Sequence, residues 1–598
     1  MNSPRSSRKC ISPCLLALLL LWAPCLAAAD LAARVLRVAL AHAEAGFDPA
    51  TASEVYSTAV IAGIMEPLLT FDYLARPPRL VPLTAESLPV IEDGGRTWTF
   101  RVRRGIHFAD DPAFAGKRRE LTAADYAYAI KRLVDPATRS PNAFHVAGKI
   151  VGLDELAAAA HAGRRFDYDA RIEGIETVGR HILRVRLKQP DHAFAFVMAL
   201  PALSAVAHEV VATYGERIAA HPVGTGPYRL KTWIPASRIV LEANPGFRGL
   251  RWEFEPGDDP EDARIAAAMR GKTLPRIGTV EFHVLEEPQA QWLAMLGDKV
   301  DIGGVPDAFV PMALRGQALA PDLARRGLRL SRLLQPAITY TAFNMRDPTV
   351  GGFGEAQVAL RRAIVMAYDN AKEVRVVRMG QAIVLPMPIP PGVPGHSLRY
   401  LPATDYDPAR ANRLLDEAGY RRGRDGYRSR PDGGPLVIRY ASQRDTSARD
   451  FQELWRMALD AIGVRLVVEQ GSFGDQIKAA TTCAHQMWSY GWTADYPDGD
   501  SFMQLLFGDN VHASNVACYA SPAFDALYRE SRRMADSPER TRLFERMTRQ
   551  FEADAPWRLH VATYRNVLAQ ARVIGYKPHP YLFNDWMYAD IEEPVPRR

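Results

Sequence analysis

Short runs in which apolar and polar positions alternate recur along the chain, separated by longer runs with helical spacing. Residues 35–40 (Val-Leu-Arg-Val-Ala-Leu) alternate as a strand does. The same period marks 97–103, which ends at Arg104-Gly105, then 182–187, stopped by Pro190, and 464–468. Between these runs lie helices with their own punctuation. Thr122 is placed to cap a helix, with Asp125 at its third position and Ala127, Ile130 and Leu133 on one face. Val358, Ala363, Ile364 and Ala367 share a face of another helix, and 447–462 is amphipathic. Asp407 caps a further helix, Pro408 takes its first position and Gly419 ends it. Strand and helix patterns alternate throughout, which predicts α/β lobes.

One stretch departs from this ordinary patterning. Residues 488–502 hold two Trp, two Tyr and three Asp. Trp488, Tyr490 and Trp492 alternate, so a strand would put their rings on one face. Asp495 follows, and Tyr496-Pro497-Asp498-Gly499 has turn composition. Ring faces beside a carboxylate suit a ligand with an apolar body and a positive charge. The same residues also fit a core strand ending in a turn that Asp495 caps.

Other stretches punctuate the chain. Residues 222–229 form a glycine-rich turn entering a strand, and Pro227 excludes a dinucleotide loop there. Residues 250–275 are rich in charge and turn formers, which predicts a surface insertion. The five prolines in 385–394 make either a rigid loop or a polyproline partner motif.

Composition narrows the function classes. The chain of 598 residues is 47% hydrophobic and 24% charged, enough for a large core. Its first segment reads as a cleavable export signal: Arg5, Arg8 and Lys9, the apolar run 15–22, and Ala27-Ala28-Ala29 before Asp30. Cys25 follows a poor lipoprotein pattern. Losing that segment lowers the formal charge from +6 to +3, which points away from nucleic acid. Cys483 and Cys518 are then the only cysteines left, and an exported chain is expected to join them. No Gly-x-Ser-x-Gly elbow and no His-Glu-x-x-His motif is present. Asp495, Asp498 and Asp500 lack EF-hand spacing, and nothing nominates a glycosidase acid. No metal or cofactor is therefore expected.

Several short motifs, in order, resemble the dipeptide- and oligopeptide-binding proteins of bacterial ABC importers, solute-binding family 5. They are Glu66-Pro-Leu-Leu69, Arg104-Gly-Ile-His-Phe108, Leu121-Thr-Ala-Ala-Asp125, Val223-Gly-Thr-Gly-Pro-Tyr228, Leu296-Gly-Asp-Lys-Val-Asp-Ile302, Tyr406-Asp-Pro-Ala-Arg-Ala411 with Ala418-Gly-Tyr420, and Gly491-Trp-Thr-Ala-Asp-Tyr-Pro-Asp498. The resemblance implies a two-lobed periplasmic binding protein, monomeric and not an enzyme, that closes on a peptide-like solute and passes it to an inner-membrane permease. Lobe one would combine 30–71, 200–335 and 560–598 with an inserted domain at 72–199, and lobe two would be 336–559. The chain would cross between them near Tyr340 and near 559–564. Asp495 would hold the ligand's α-ammonium. Trp488, Trp492 and Tyr496 are candidate pocket walls, and Asn344, closing the strand-like 340–344, is a further candidate contact. Related folds also take haem, oligosaccharides or metal chelates, and an exported hydrolase is the rival outside the class.

Overall fold

The computed structural model describes residues 31, 33–161 and 164–592. The export signal lies outside them.

Three sheets organise the chain. The first has eight strands and takes its members from distant segments. Val35–Leu40 sits near its middle, parallel to Thr279–Val284 and to Ile302–Gly304. Arg238–Ala243 and Tyr228–Ile234 extend it on one side. Val561–Ala569 and Arg329–Leu334 extend it on the other. The second sheet is a four-stranded antiparallel layer of Val90–Glu92, Thr97–Arg101, Ile182–Arg186 and Ile175–Val178. Its inner face packs on the helix Ala123–Val134, where Thr122 and Asp125 form the capping box their spacing predicts. The third sheet has five strands in the order Arg465–Gln470, Val437–Ser442, Met487–Thr493, Ala337–Phe343, Trp557–Leu559. Hereafter the first lobe is the part built on the eight-stranded and four-stranded sheets, and the second lobe the part built on the five-stranded sheet.

Two short connections join the lobes. Gln335 and Pro336 separate Arg329–Leu334 from Ala337–Phe343, and His560 alone separates Trp557–Leu559 from Val561–Ala569. His560 is buried and tied on both ring nitrogens. Nε2 lies 2.8 Å from Thr341 Oγ1, and Nδ1 lies 3.0 Å from the Glu373 carboxylate. Ala382–Val384 pairs with the start of Val561–Ala569, so a strand from the middle of the chain bridges the crossing.

The motif glycines at 224 and 226 have a steric cause. A Cβ on Gly224 would stand 2.1 Å from the carbonyl oxygen of Ile64, at the end of the helix Val55–Ile64. Glu66, just beyond that helix, is buried and holds Arg248 through two bonds of 2.7 and 2.9 Å, with Thr225 Oγ1 at 2.8 Å. The Glu66–Leu69 and Val223–Tyr228 motifs of the resemblance thus clamp each other.

Two stretches behave differently from a surface reading. In 250–275 most charged residues face out, but Asp262 is buried against Lys577, and Trp252, Ile265 and Met269 are fully buried in the main core. The segment is a helix, Pro260–Met269, between the paired strands Leu250–Arg251 and Thr273–Leu274, and its large apolar side chains pack it into the core. The proline-rich run is also packed: Leu385, Met387, Ile389 and Val393 are all buried, so it is a rigid core loop.

Cys483 and Cys518 form a disulfide closing a loop of 35 residues. Both take left-handed backbone, with φ of 57° and 52°. Thiol labelling of denatured, unreduced protein is expected to find no free site outside the leader. Reduction should lower stability by at most about 3–4 kcal/mol in the loop-entropy account, measured as a lower urea midpoint. Two labelled sites, or an unmoved midpoint, would contradict this.

Candidate functional site

Met487–Thr493 is the central strand of the second lobe's sheet, antiparallel to Ala337–Phe343 and parallel to Val437–Ser442. Its odd member Ser489 points to the far face, bonded to Thr341 Oγ1 at 2.6 Å and Tyr440 OH at 2.8 Å. Trp488, Tyr490 and Trp492 share the other face, but they do different things. Trp488 is buried under the helix Phe473–Thr481, with its Nε1 donating to Gln476 Oε1 at 3.1 Å and its ring stacked on Tyr490 at 4.7 Å. It forms the layer behind the site. Trp492 reaches the cleft edge, with Phe144 of the first lobe 6.3 Å away. Its Nε1 is sealed from solvent and has no hydrogen-bond partner among the described residues.

The loop after the strand is pinned from several directions. Asp498 accepts the Asp500 N–H at 2.8 Å and pairs with Arg540 Nη1 at 2.6 Å. Gly499 donates to Pro394 O at 2.9 Å, so the proline-rich loop buttresses the turn. Capping the turn therefore falls to Asp498, and Asp495 is free of that task. The Asp495 N–H donates to Ser501 Oγ at 3.0 Å. Its Oδ2 is buried and has no hydrogen-bond partner among the described residues. Burial, then the negative charge of Asp500, raise the Asp495 carboxyl to about 7, against a smaller downward pull from the Ser501 hydrogen bond.

Aromatic pairs join the lobes on either side of Asp495 in the chain, through Trp492 before it and Tyr496 after it. Tyr496 is buried, stacks on Phe196 of the first lobe at 6.1 Å and donates its hydroxyl to Asp500 Oδ2 at 2.8 Å. On another side Phe473 stacks on His42 at 5.9 Å, and His42 meets Tyr56 edge-on at 5.4 Å. Tyr490 continues that band, 6.2 Å from Phe473. Burial, then the charges of Glu54 and Asp495, push the Tyr490 hydroxyl up to about 12. An ion pair closes the rim, Arg532 of the second lobe to Asp191 of the first at 2.9 Å, with Lys149 at 3.2 Å from the same carboxylate.

The structure thus brings Asp495, Trp492 and Tyr496 together at the lobe interface. Asn344 is elsewhere, at the end of its strand. Its Nδ2 donates to Cys483 O at 2.7 Å and its Oδ1 accepts the Arg346 N–H at 2.9 Å, so it steadies the disulfide loop. Phe144, Phe196, His42, Tyr56 and Glu54 complete the surroundings from the first lobe. Nothing local in the sequence marks them, because they lie some 300 to 450 residues from Asp495 in the chain. Among the described residues no cluster of His, Cys, Asp and Glu is set to hold a metal, and no helix is long and apolar enough to cross a membrane.

Two α/β lobes joined by two short crossings are the architecture of a periplasmic binding protein. The chain belongs to the bacterial extracellular solute-binding proteins, family 5, whose model matches residues 79–513. It is similar to di/tripeptide-binding protein 2 of Pseudomonas aeruginosa, 26% identical over 96% of this chain and 98% of that one. It is also similar to the glutathione-binding protein GsiB of Salmonella choleraesuis, 24% identical over 88% of each chain. In fold it resembles the periplasmic binding protein DppA of Helicobacter pylori in complex with the peptide STSA, with a TM-score of 0.74, 20% identity and 94% and 98% of the two chains covered.

Burial, then the charge of Asp500, holds the Asp495 carboxyl at about 7, against an ordinary carboxylate value of about 4. To the extent that parting the lobes returns Asp495 to water, the apposed state binds the proton more readily. Apposition without ligand is therefore most favoured below about pH 4, weakens as pH rises, and is least favoured above 7. Small-angle scattering of ligand-stripped protein should show the radius of gyration rising between about pH 4 and 7. Asp495→Asn should lose that trend. The same trend in both proteins would contradict the assignment.

Proposed function

We propose that this protein is a periplasmic receptor that captures short peptides by their free amino end and delivers them to an inner-membrane ABC permease. The observation that carries the reading is the Asp495 Oδ2, buried between the lobes with no protein partner among the described residues. Such a group is destabilising unless a donor, best a charged one, meets it. An α-ammonium supplies both charge and donors, and the exposed peptide backbone can add to strand edges without regard to side chain. The names of the relatives, a di/tripeptide binder and a peptide complex among them, support the same class.

In this reading 30–71, 200–335 and 560–598 form one domain, 72–199 is inserted into it, and 336–559 is the other lobe. The two short crossings at Gln335–Pro336 and at His560 serve as the hinge. Trp492 and Tyr496 wall the ligand in, while Trp488 and Asn344 hold the strand and loop that carry Asp495. The ligand acts by bridging lobes, so its affinity sets the population of the closed form. The mature chain begins near Asp30, and the protein works as a monomer without catalysing a reaction.

The test is a double cycle. Truncating one member of a buried charged pair typically costs about 2–5 kcal/mol, so Asp495→Asn should weaken binding of a co-purified peptide roughly 30-fold or more. N-acetylation of that peptide should weaken binding to the wild type similarly and matter little to the variant. Calorimetry reads all four affinities. Losses that simply add would show that Asp495 does not touch the ammonium.

A further inference from the structure

A cavity of about 440 Å³ lies between the lobes immediately beyond Tyr496. It adjoins the Asp495 site on two counts. Phe144 and Tyr496 line it and also stand in the aromatic pairs that flank Asp495 in the chain. Asp500 lines it too, and its charge acts on Asp495.

Residues of the cavity wall carry sealed polar atoms with no partner among the described residues. Gln504 is only 3% exposed. Its Oε1 accepts from Asn510 Nδ2 at 2.9 Å and from Ser514 Oγ at 2.5 Å, which fixes the amide's orientation. Its Nε2 is left sealed and without an acceptor among the described residues. Arg532 lines the same cavity. Its Nη2 is taken by Asp191, and its Nε is likewise sealed without an acceptor. Most lining charges, meanwhile, are already matched, but Asp500 Oδ1 is sealed with no donor among the described residues. Asp191 faces Lys149 and Arg532, and Arg529 pairs with Asp509 at 3.1 Å.

We propose that this cavity is the subsite for the side chain of the ligand's first residue, and that it selects one ending in a carboxamide. The proposal rests on Asp495 holding the α-ammonium. With that nitrogen fixed, the first Cα is one bond away, and its side chain is the part of the ligand able to pass Tyr496. A carboxamide oxygen accepts from Gln504 Nε2 and Arg532 Nε, and its NH₂ faces the carboxylates of Asp500 and Asp191. A carboxylate end would meet those two carboxylates unfavourably. A thioether or alkyl end would leave both donors unmatched.

The experiment uses the full mature protein and four dipeptides, Gln-Ala, Met-Ala, Glu-Ala and Gly-Ala, with affinities from calorimetry. The wild type should prefer Gln-Ala over Met-Ala, which has similar length without the amide, by roughly ten-fold or more, and should disfavour Glu-Ala. Ala513→Phe, at a partly exposed position in the cavity wall, should remove the Gln-Ala advantage and leave Gly-Ala within about two-fold of wild type. Gln504→Met should shrink the Gln-to-Met ratio. Should it fail to fold, Ala513→Phe decides alone. The subsite is overturned, with the anchor intact, if Ala513→Phe binds Gln-Ala as the wild type does, or if the wild type does not distinguish Gln-Ala from Met-Ala, while Gly-Ala still requires a free amine. If Gly-Ala and its N-acetyl form bind the wild type equally, anchor and subsite fall together.

Discussion

A carboxylate oxygen buried at the lobe interface, Asp495 Oδ2, with no hydrogen-bond partner among the described residues is the constraint from which the rest follows. Charge taken out of water without compensation is unfavourable by several kcal/mol, and burial, then the charge of Asp500, raises the Asp495 carboxyl to about 7. In the proposed mode the empty cleft resists closing and a cation arriving with its own donors removes the resistance, so a ligand that meets Asp495 favours apposition of Tyr496 on Phe196 and of Trp492 on Phe144.

The surrounding structure exists to keep that carboxylate where it is. Asp498 caps the loop and is itself held by Arg540. The proline-rich loop meets Gly499, where a Cβ would stand 2.5 Å from Ile389 Cδ1. Trp488 and the disulfide fix the two ends of the surrounding segment from behind. Rigidity is concentrated in the second lobe around Asp495. The first lobe contributes mostly ring faces, which can be approached and left without breaking strong polar bonds. The Asp191–Arg532 pair at the rim is the exception.

Much of this was legible in the chain. The alternating strands, the Thr122 and Asp407 caps and the cysteine pairing are local rules, and the structure follows them. The Asp495 stretch stood out because aromatic alternation and a following carboxylate are adjacent in sequence. What could not be read was everything set by tertiary packing. Trp488 and Trp492 occupy equivalent positions of one strand, yet a helix covers the first and the cleft edge meets the second. Asn344 resembles a cleft residue by position and serves a loop instead. The 250–275 segment shows its charges in the sequence and hides Trp252 in the core. The first-lobe half of the site has no local mark, because its residues are recruited by the fold from hundreds of positions away.

In the proposed mode the ligand's amino group is bound charged against Asp495. Calorimetry at about pH 9, in buffers of different ionisation enthalpy, counts the protons exchanged on binding. A free α-amino group with a pKa near 8 is mostly neutral there, so a complex that holds it as ammonium must take up close to one proton. The account predicts that uptake in the wild type and its near absence in Asp495→Asn. Equal uptake in the two proteins, or none in the wild type, would contradict it.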